Sequence, residues 1–277
     1  MKRDPAEALS EVLAAALAAG EPAALVTLSE ARGSTPREAG AAMLVMPERV
    51  AGTIGGGTCE WAGIARAREL LAAGEAEACL RMPLGPETGQ CCGGHVTLAI
   101  HRADARTLAA LRAREAESAA QAPLVMIYGA GHVGRALALA LDPLPFRTRI
   151  VDERPEEIAR VLGIRVLREV GSARAAAETA PPGAAHVVLT HSHALDSLIC
   201  AGLLEAGTFA YLGLIGSATK RATFLSAFRE MGLDEAVLAR LVCPIGGRQI
   251  GGRQLRDKRP AIIAALVAAE LIAVFAG

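Results

Sequence analysis

The sequence predicts an α/β protein in two parts: an N-terminal α+β domain over 1–120 and a Rossmann-like, doubly wound parallel-sheet domain over 121–277. Three observations lead there. At roughly 150 residues per domain, 277 residues correspond to about two domains. The second half alternates short continuous apolar runs with helical stretches, which is how strands buried on both faces of a parallel sheet read. Directly after the first of those runs stands Gly129-Ala-Gly131-His-Val-Gly134, the glycine turn that opens the helix of a dinucleotide fold.

In the first half, Asp4, Pro5 and Glu7 supply an N-cap, a first-turn proline and a capping-box acid for a helix that ends at Gly20. Ala23 to Leu28 reads as a strand, Ser29 to Gly40 as a polar loop, and Ala41 to Met46 as a second strand closed by a turn at Pro47 to Arg49. The glycine cluster Gly52 to Gly57 leads into a helix over Thr58 to Ala73, with Trp61, Ile64, Leu70 and Leu71 on its apolar stripe and Gly74 as stop. Val96 to His101 reads as a strand, and the Ala-rich stretch 102–122 as a solvated helix at the domain boundary. Beyond it, Leu124 to Tyr128, Arg149 to Val151, His186 to Thr190 and Tyr211 to Ile215 are the strands of the parallel sheet. The tandem repeat Ile245-Gly-Gly-Arg-Gln249, Ile250-Gly-Gly-Arg-Gln254 lies between the last of these and the C-terminal helix, as a duplicated loop or a functional double loop.

Composition excludes several function classes. Twenty-nine Lys and Arg balance 29 Asp and Glu, and only eight aromatics are present, so neither the electrostatic footprint nor the stacking surface of a nucleic-acid binder exists. Six cysteines are too sparse for a disulfide scaffold, and no apolar signal core follows Met1, which points to a cytoplasmic protein with reduced thiols. The apolar run Pro260 to Ala276 contains Glu270 and falls short of the ~20 residues that span a bilayer, so it reads as a buried helix and no membrane association is expected.

Four segments carry chemistry. Gly129, Gly131 and Gly134 let backbone N–H groups approach a phosphate, and Asp152, 21 residues after Gly131, stands where an acid meets ribose hydroxyls. Gly55, Gly56 and Gly57 form either a second anion nest or a tight turn; the Gly-Lys-Ser/Thr ending of a P-loop is missing. Cys91 and Cys92, in Gly89-Gln-Cys-Cys-Gly-Gly-His95, read as a reactive thiol in a glycine turn or as two small turn residues. Cys59, Cys79, Cys200 and Cys243 read as core residues. In Thr190-His-Ser-His-Ala-Leu-Asp196, His191 and His193 form half of a binuclear metal site, or else Asp196 caps the next helix and the histidines line a crevice with Gly216, Ser217 and Lys220.

In this order, with Arg32-Gly-Ser-Thr-Pro-Arg37, Gly52-Thr-Ile-Gly-Gly-Gly57, Tyr211-Leu-Gly-Leu-Ile-Gly-Ser217 and Cys243-Pro-Ile-Gly246, the motifs resemble the XdhC/CoxI family of xanthine dehydrogenase accessory proteins, nearly end to end. The resemblance implies a non-catalytic chaperone. It would bind the molybdenum cofactor (molybdopterin), protect its sulfurated form and deliver it to the molybdenum-binding subunit of apo xanthine dehydrogenase, with a cysteine desulfurase as second partner. That cofactor is a pterin with a dithiolene and a terminal phosphate, so a carrier needs an anion site, a polar crevice and a soft ligand; the glycine loops, His191, His193 and Cys92 offer these, Cys92 being the metal-directed thiol. The repeat lengthens the segment after Cys243-Pro-Ile-Gly246 beyond the family pattern. A homodimer is the expected assembly. The rival class is an NAD(P)-dependent oxidoreductase built on Gly129, Gly131, Gly134 and Asp152, although no Tyr-x-x-x-Lys pair accompanies them.

Overall fold

The computed structural model describes every residue except 1–7, 34, 36, 85–93, 164, 248, 251–252, 255–256 and 276–277. The chain divides into two compact units, Met1–Ser118 and Ala119–Gly277.

The first unit contains α1 (Leu9–Ala18), β1 (Ala24–Arg32), β2 (Ala42–Val45), β3 (Val50–Gly52), α2 (Gly57–Ala73), β4 (Glu77–Leu84), β5 (Gly94–Arg102) and most of α3 (Ala105–Gln121). Its strands form one sheet in the order β3-β2-β1-β5-β4, with every pairing antiparallel. Alternation along β1 decides the layers. Ala24, Val26 and Leu28 face α2 through Ile64, Ala67 and Leu70, whereas Leu25 joins Val12 and Leu13 of α1 and Leu111 of α3 on the opposite face. With both faces covered, β1 starts as the continuous apolar run seen in the sequence.

Several expectations change here, and one lies outside the described residues. β1 runs on to Arg32, through part of the expected loop, because it keeps pairing with β5 beyond a bulge at Leu28/Glu30. β4 is an additional strand, and its position at the sheet edge leaves Cys79 exposed rather than in the core. Trp61 is 63% exposed; the buried residues of α2 are Cys59, Glu60, Gly63, Ile64, Ala67 and Leu70. The helix signals at Asp4, Pro5 and Glu7 lie outside the described residues, and α1 ends with Gly20 at φ 67° just beyond its cap.

The second unit holds β6 (Leu124–Tyr128), α4 (His132–Leu141), β7 (Arg147–Asp152), α5 (Pro155–Ile158), β8 (Val166–Val170), α6 (Ala173–Glu178), β9 (Ala185–Val188), α7 (His193–Ala206), β10 (Tyr211–Leu214), α8 (Ala218–Glu230), α9 (Glu235–Leu238), β11 (Leu241–Val242), the short pair β12 (Gln249–Ile250) and β13 (Arg253–Gln254), and α10 (Pro260–Phe275). The six-stranded sheet is parallel throughout, in the order β11-β10-β9-β6-β7-β8. This is the doubly wound arrangement, with its switch point between β6 and β9. Val125, Ile127 and Ile150 pack beneath α4 and α10, while Met126, Tyr128 and Val151 pack beneath α6, α7 and α8. Tyr211–Leu214 is not the last strand of the sheet: β11 adds a two-residue edge beyond it. The tandem repeat contributes the antiparallel pair β12–β13. Among the described residues no helix is long and apolar enough to cross a membrane.

Candidate functional site

In an open α/β sheet a ligand sits beyond the carboxyl ends of the strands, at the switch point. There Gly129, Val151, Asp152, Glu153, Ala173, Thr190, His191 and Leu195 line a shallow, half-open crevice.

The three glycines of its rim are demanded for different reasons. Gly129 has φ 113°, and a Cβ there would stand 2.4 Å from the Leu189 carbonyl oxygen. A Cβ at Gly134 would stand 2.0 Å from the Gly129 carbonyl oxygen, so helix and turn touch only because Gly134 is bare. Gly131 is unlike both. Its backbone is not left-handed and a Cβ would meet nothing within 4 Å, so the protein's own packing does not require glycine there.

The turn between them is clamped. The Ala130 N–H donates to Asp152 Oδ2 at 2.7 Å, and Arg135 Nη1 donates to the Ala130 carbonyl at 2.8 Å while pairing with Glu157. The Asp152 carboxylate is saturated: Arg154 donates Nε to Oδ1 at 2.9 Å, Nη2 to Oδ2 at 2.8 Å and its own N–H to Oδ1 at 3.0 Å. Burial pushes this carboxyl upward, but the Arg154 guanidinium and the two N–H groups outweigh it and hold it down at about 2. Asp152 therefore fastens the turn rather than offering a free acceptor to a ribose. The first turn of α4 stays open. Gly131 is its N-cap and gives no side-chain cap, whereas α6, α7 and α8 are closed by Ser172, Ser192 and Ser217.

Ser217, expected in the ligand site, thus accepts the Lys220 N–H at 3.1 Å as a helix cap. Asp196 is not a cap; Ser192 holds that role for α7, and Asp196 is fully buried within the helix. His191 lines the crevice, and His193 stands exposed at the first position of α7. Lys220 does not present a free ammonium, because its Nζ bonds Asp196 Oδ2 at 2.6 Å. Beneath the crevice, Tyr128 and His186 share a 2.8 Å hydrogen bond in the core. Burial alone keeps His186 neutral, down to about 4, and burial, with Glu169 adding to it and Arg149 opposing it, pushes the Tyr128 phenol up.

The other glycine loop is filled from within. Gly55, Gly56 and Gly57 all take positive φ, 122°, 77° and 68°, and the Glu60 carboxylate, 2% exposed, lies in the concavity they help form. It accepts the Ile54 N–H at 3.1 Å, the Gly56 N–H at 3.0 Å and the Thr53 hydroxyl. Sequence reasoning passed over Glu60 and Arg154; their signals are an acid in the first turn after a glycine run, and an arginine two residues beyond the strand-end acid. Cys91 and Cys92 lie outside the described residues, and among the described residues no group of three His, Cys, Asp or Glu could hold a metal ion. Cys59, Cys200 and Cys243 are buried as expected, and burial raises all three thiols.

The comparisons match both units. The family profile described as XdhC Rossmann domain matches residues 125–271, and that of the XdhC and CoxI family matches residues 16–82. Uncharacterized protein YqeB of Escherichia coli strain K12 is 30% identical over 260 residues, covering 91% of this chain and 43% of YqeB. This chain thus spans less than half the length of that relative. The crystal structure of a xanthine dehydrogenase from Bacillus halodurans superposes with a TM-score of 0.75 at 17% identity, covering 98% of this chain and 96% of the other, which establishes a shared fold.

Proposed function

The chain belongs to the XdhC and CoxI family, and from that premise we propose that it is an accessory protein that carries the molybdenum cofactor to apo xanthine dehydrogenase rather than an enzyme. The observation that carries this reading is the contrast at the switch point: an uncapped helix N-terminus at Gly131 beside an acid, Asp152, whose acceptors are already used. An anion fits the first and a ribose diol does not fit the second.

On this reading the backbone at Gly131 would hold the terminal phosphate of the cofactor, and His191, which lines the neighbouring crevice, would face the pterin. Gly129 and Gly134 shape the turn, and Asp152 with Arg154 fixes it. Cys92 is the thiol we assign to the metal end. When bound, the cofactor supplies the molybdenum and its terminal sulfur; the protein's task is to bind, orient and shield. A cysteine desulfurase is the proposed sulfur donor, and a homodimer in the cytoplasm the proposed form.

The dinucleotide fold itself favours an NAD(P)-dependent oxidoreductase, but the saturated Asp152 opposes it. Incubating the purified protein with molybdenum cofactor or with NADH, followed by gel filtration, separates the readings. Stoichiometric retention of cofactor, with increased activity of reconstituted apo xanthine dehydrogenase, is expected; retention of NADH together with substrate turnover by this protein alone would overturn the proposal.

A further inference from the structure

Lys220 and Asp196 are used by none of the groups assigned to the ligand, yet they form a deeply buried ion pair next to the crevice. Asp196 is fully buried on α7, and the Lys220 side chain on α8 is 11% exposed. Such a pair stabilises little in net terms, because desolvation consumes most of the attraction, so its use lies in what it fixes.

Each polar atom has a partner. Lys220 Nζ donates to Asp196 Oδ2 at 2.6 Å and to the Ile215 carbonyl at 3.1 Å, and lies 5.4 Å from the centre of the Phe224 ring. Asp196 Oδ1 accepts the Thr190 N–H at 3.0 Å and the Thr190 hydroxyl at 2.7 Å. The Thr190 oxygen in turn accepts the Ser192 N–H at 3.1 Å. The chain of contacts therefore runs from the end of β10, through α8 and α7, to the three residues 190–192, of which Thr190 and His191 line the crevice.

We infer that Lys220 and Asp196 are positioning residues: the ion pair sets the Thr190–Ser192 loop, and through it the His191 imidazole, against the ligand, without touching the ligand. This deepens the proposed function and rests on it for the identity of the ligand. Because Lys220 holds Asp196 by Oδ2 while Oδ1 takes the Thr190 N–H and hydroxyl, loss of the Lys220 charge lets the carboxylate turn and loosens the loop, in which the Thr190 hydroxyl also reaches the Ser192 carbonyl at 3.0 Å, while the sheet below, packed through Leu212, Leu214 and Val188, stays folded.

The test uses the full chain with Lys220→Met, Lys220→Arg and Asp196→Asn, followed by hydrogen exchange at the Thr190 amide, the NMR shift of the His191 ring, and retention of molybdenum cofactor. Lys220→Met is expected to speed exchange at Thr190 at least tenfold, shift the His191 ring signals and weaken cofactor retention about tenfold, with circular dichroism unchanged. Lys220→Arg should restore all three. Should Asp196→Asn fail to fold, Lys220→Met decides alone. Unchanged exchange at Thr190 overturns the inference; weakened retention with unchanged exchange does so too, since Lys220 would then contact the ligand directly. If the unmutated protein retains no cofactor, the functional reading fails, while the exchange and ring-shift measurements still judge the positioning role.

Discussion

The two glycine-rich turns of this molecule look alike in sequence and behave as opposites. Both lead from a strand into a helix, at Gly55–Gly57 into α2 and at Gly129–Gly134 into α4. In the first, the chain's own Glu60 carboxylate occupies the N–H groups an anion would use. In the second, the nearby carboxylate of Asp152 is drawn to Arg154 and to Ala130, one residue short of the helix, and the helix start is left uncapped. A glycine run therefore keeps donors open to a ligand only where no buried acid from the same chain has taken them.

The contrast breaks most severely at Gly134. Gly134→Ala would drive a Cβ into the Gly129 carbonyl oxygen, which overpacking and backbone displacement make worth about 2–4 kcal/mol. Thermal unfolding should show a drop of roughly 5–15 °C, at ~2–4 °C per kcal/mol.

Glu60→Ala comes next. It strips the Ile54 and Gly56 N–H groups and the Thr53 hydroxyl of their acceptor and should cost about 2–3 kcal/mol. It also opens the first turn. Added sulfate should raise the melting temperature of Glu60→Ala more than that of the unmutated protein, and equal responses would mean that Glu60 does not stand in for a ligand.

Acid separates the contributions by pH. His186 is held neutral in the fold, down to about 4 from 6.5, so its contribution is complete above 6.5 and is lost as the pH falls toward 4. Asp152 is held ionised down to about 2 from 3.8, so its contribution is complete above 3.8 and is lost as the pH falls toward 2. Stability measured by urea titration across pH 7 to 2 should fall in both windows, and Asp152→Asn should make the lower fall shallower without touching the upper one, Asp104, Glu235 and Asp257 supplying the rest of the lower fall.

Where burial is two-sided, the fold was legible. Leu124–Tyr128 is one unbroken apolar run because α4 and α10 cover one face and α6 to α8 the other, and its expected bounds are the observed ones. Edges were not legible. β8 carries Arg168 and Glu169, and the Arg168 guanidinium folds back onto the Val161 carbonyl at 3.1 Å, shielding the open side of the sheet. In β4, Ala78, Leu80 and Met82 pack inward, but Cys79 counts as apolar in sequence and hides the alternation. The Trp61 expectation failed because the buried side of α2 runs through Cys59 and Glu60, whose carboxylate the loop needs, and turns the next residue outward. At the site, the places of the glycines and Asp152 at the strand ends were legible from spacing; the structural use of Asp152, and which loop is filled and which open, were not, since these depend on where two acids find their partners.

The smallest expected change in stability belongs to the residue on which the account rests. Gly131→Ala adds a methyl group with nothing within 4 Å in the protein and an ordinary backbone conformation, so it should cost only the ~0.5–1 kcal/mol by which alanine is worse than glycine at an N-cap, a fall in melting temperature of no more than about 4 °C. On the proposed function the same methyl group stands where the phosphate would approach the first turn of α4. Equilibrium binding of molybdenum cofactor to Gly131→Ala and to the unmutated chain is the most direct measurement: an affinity at least about tenfold weaker, close to 1.4 kcal/mol, with the protein still fully folded is the predicted result, and equal affinities would contradict the assignment of the open helix start to the cofactor.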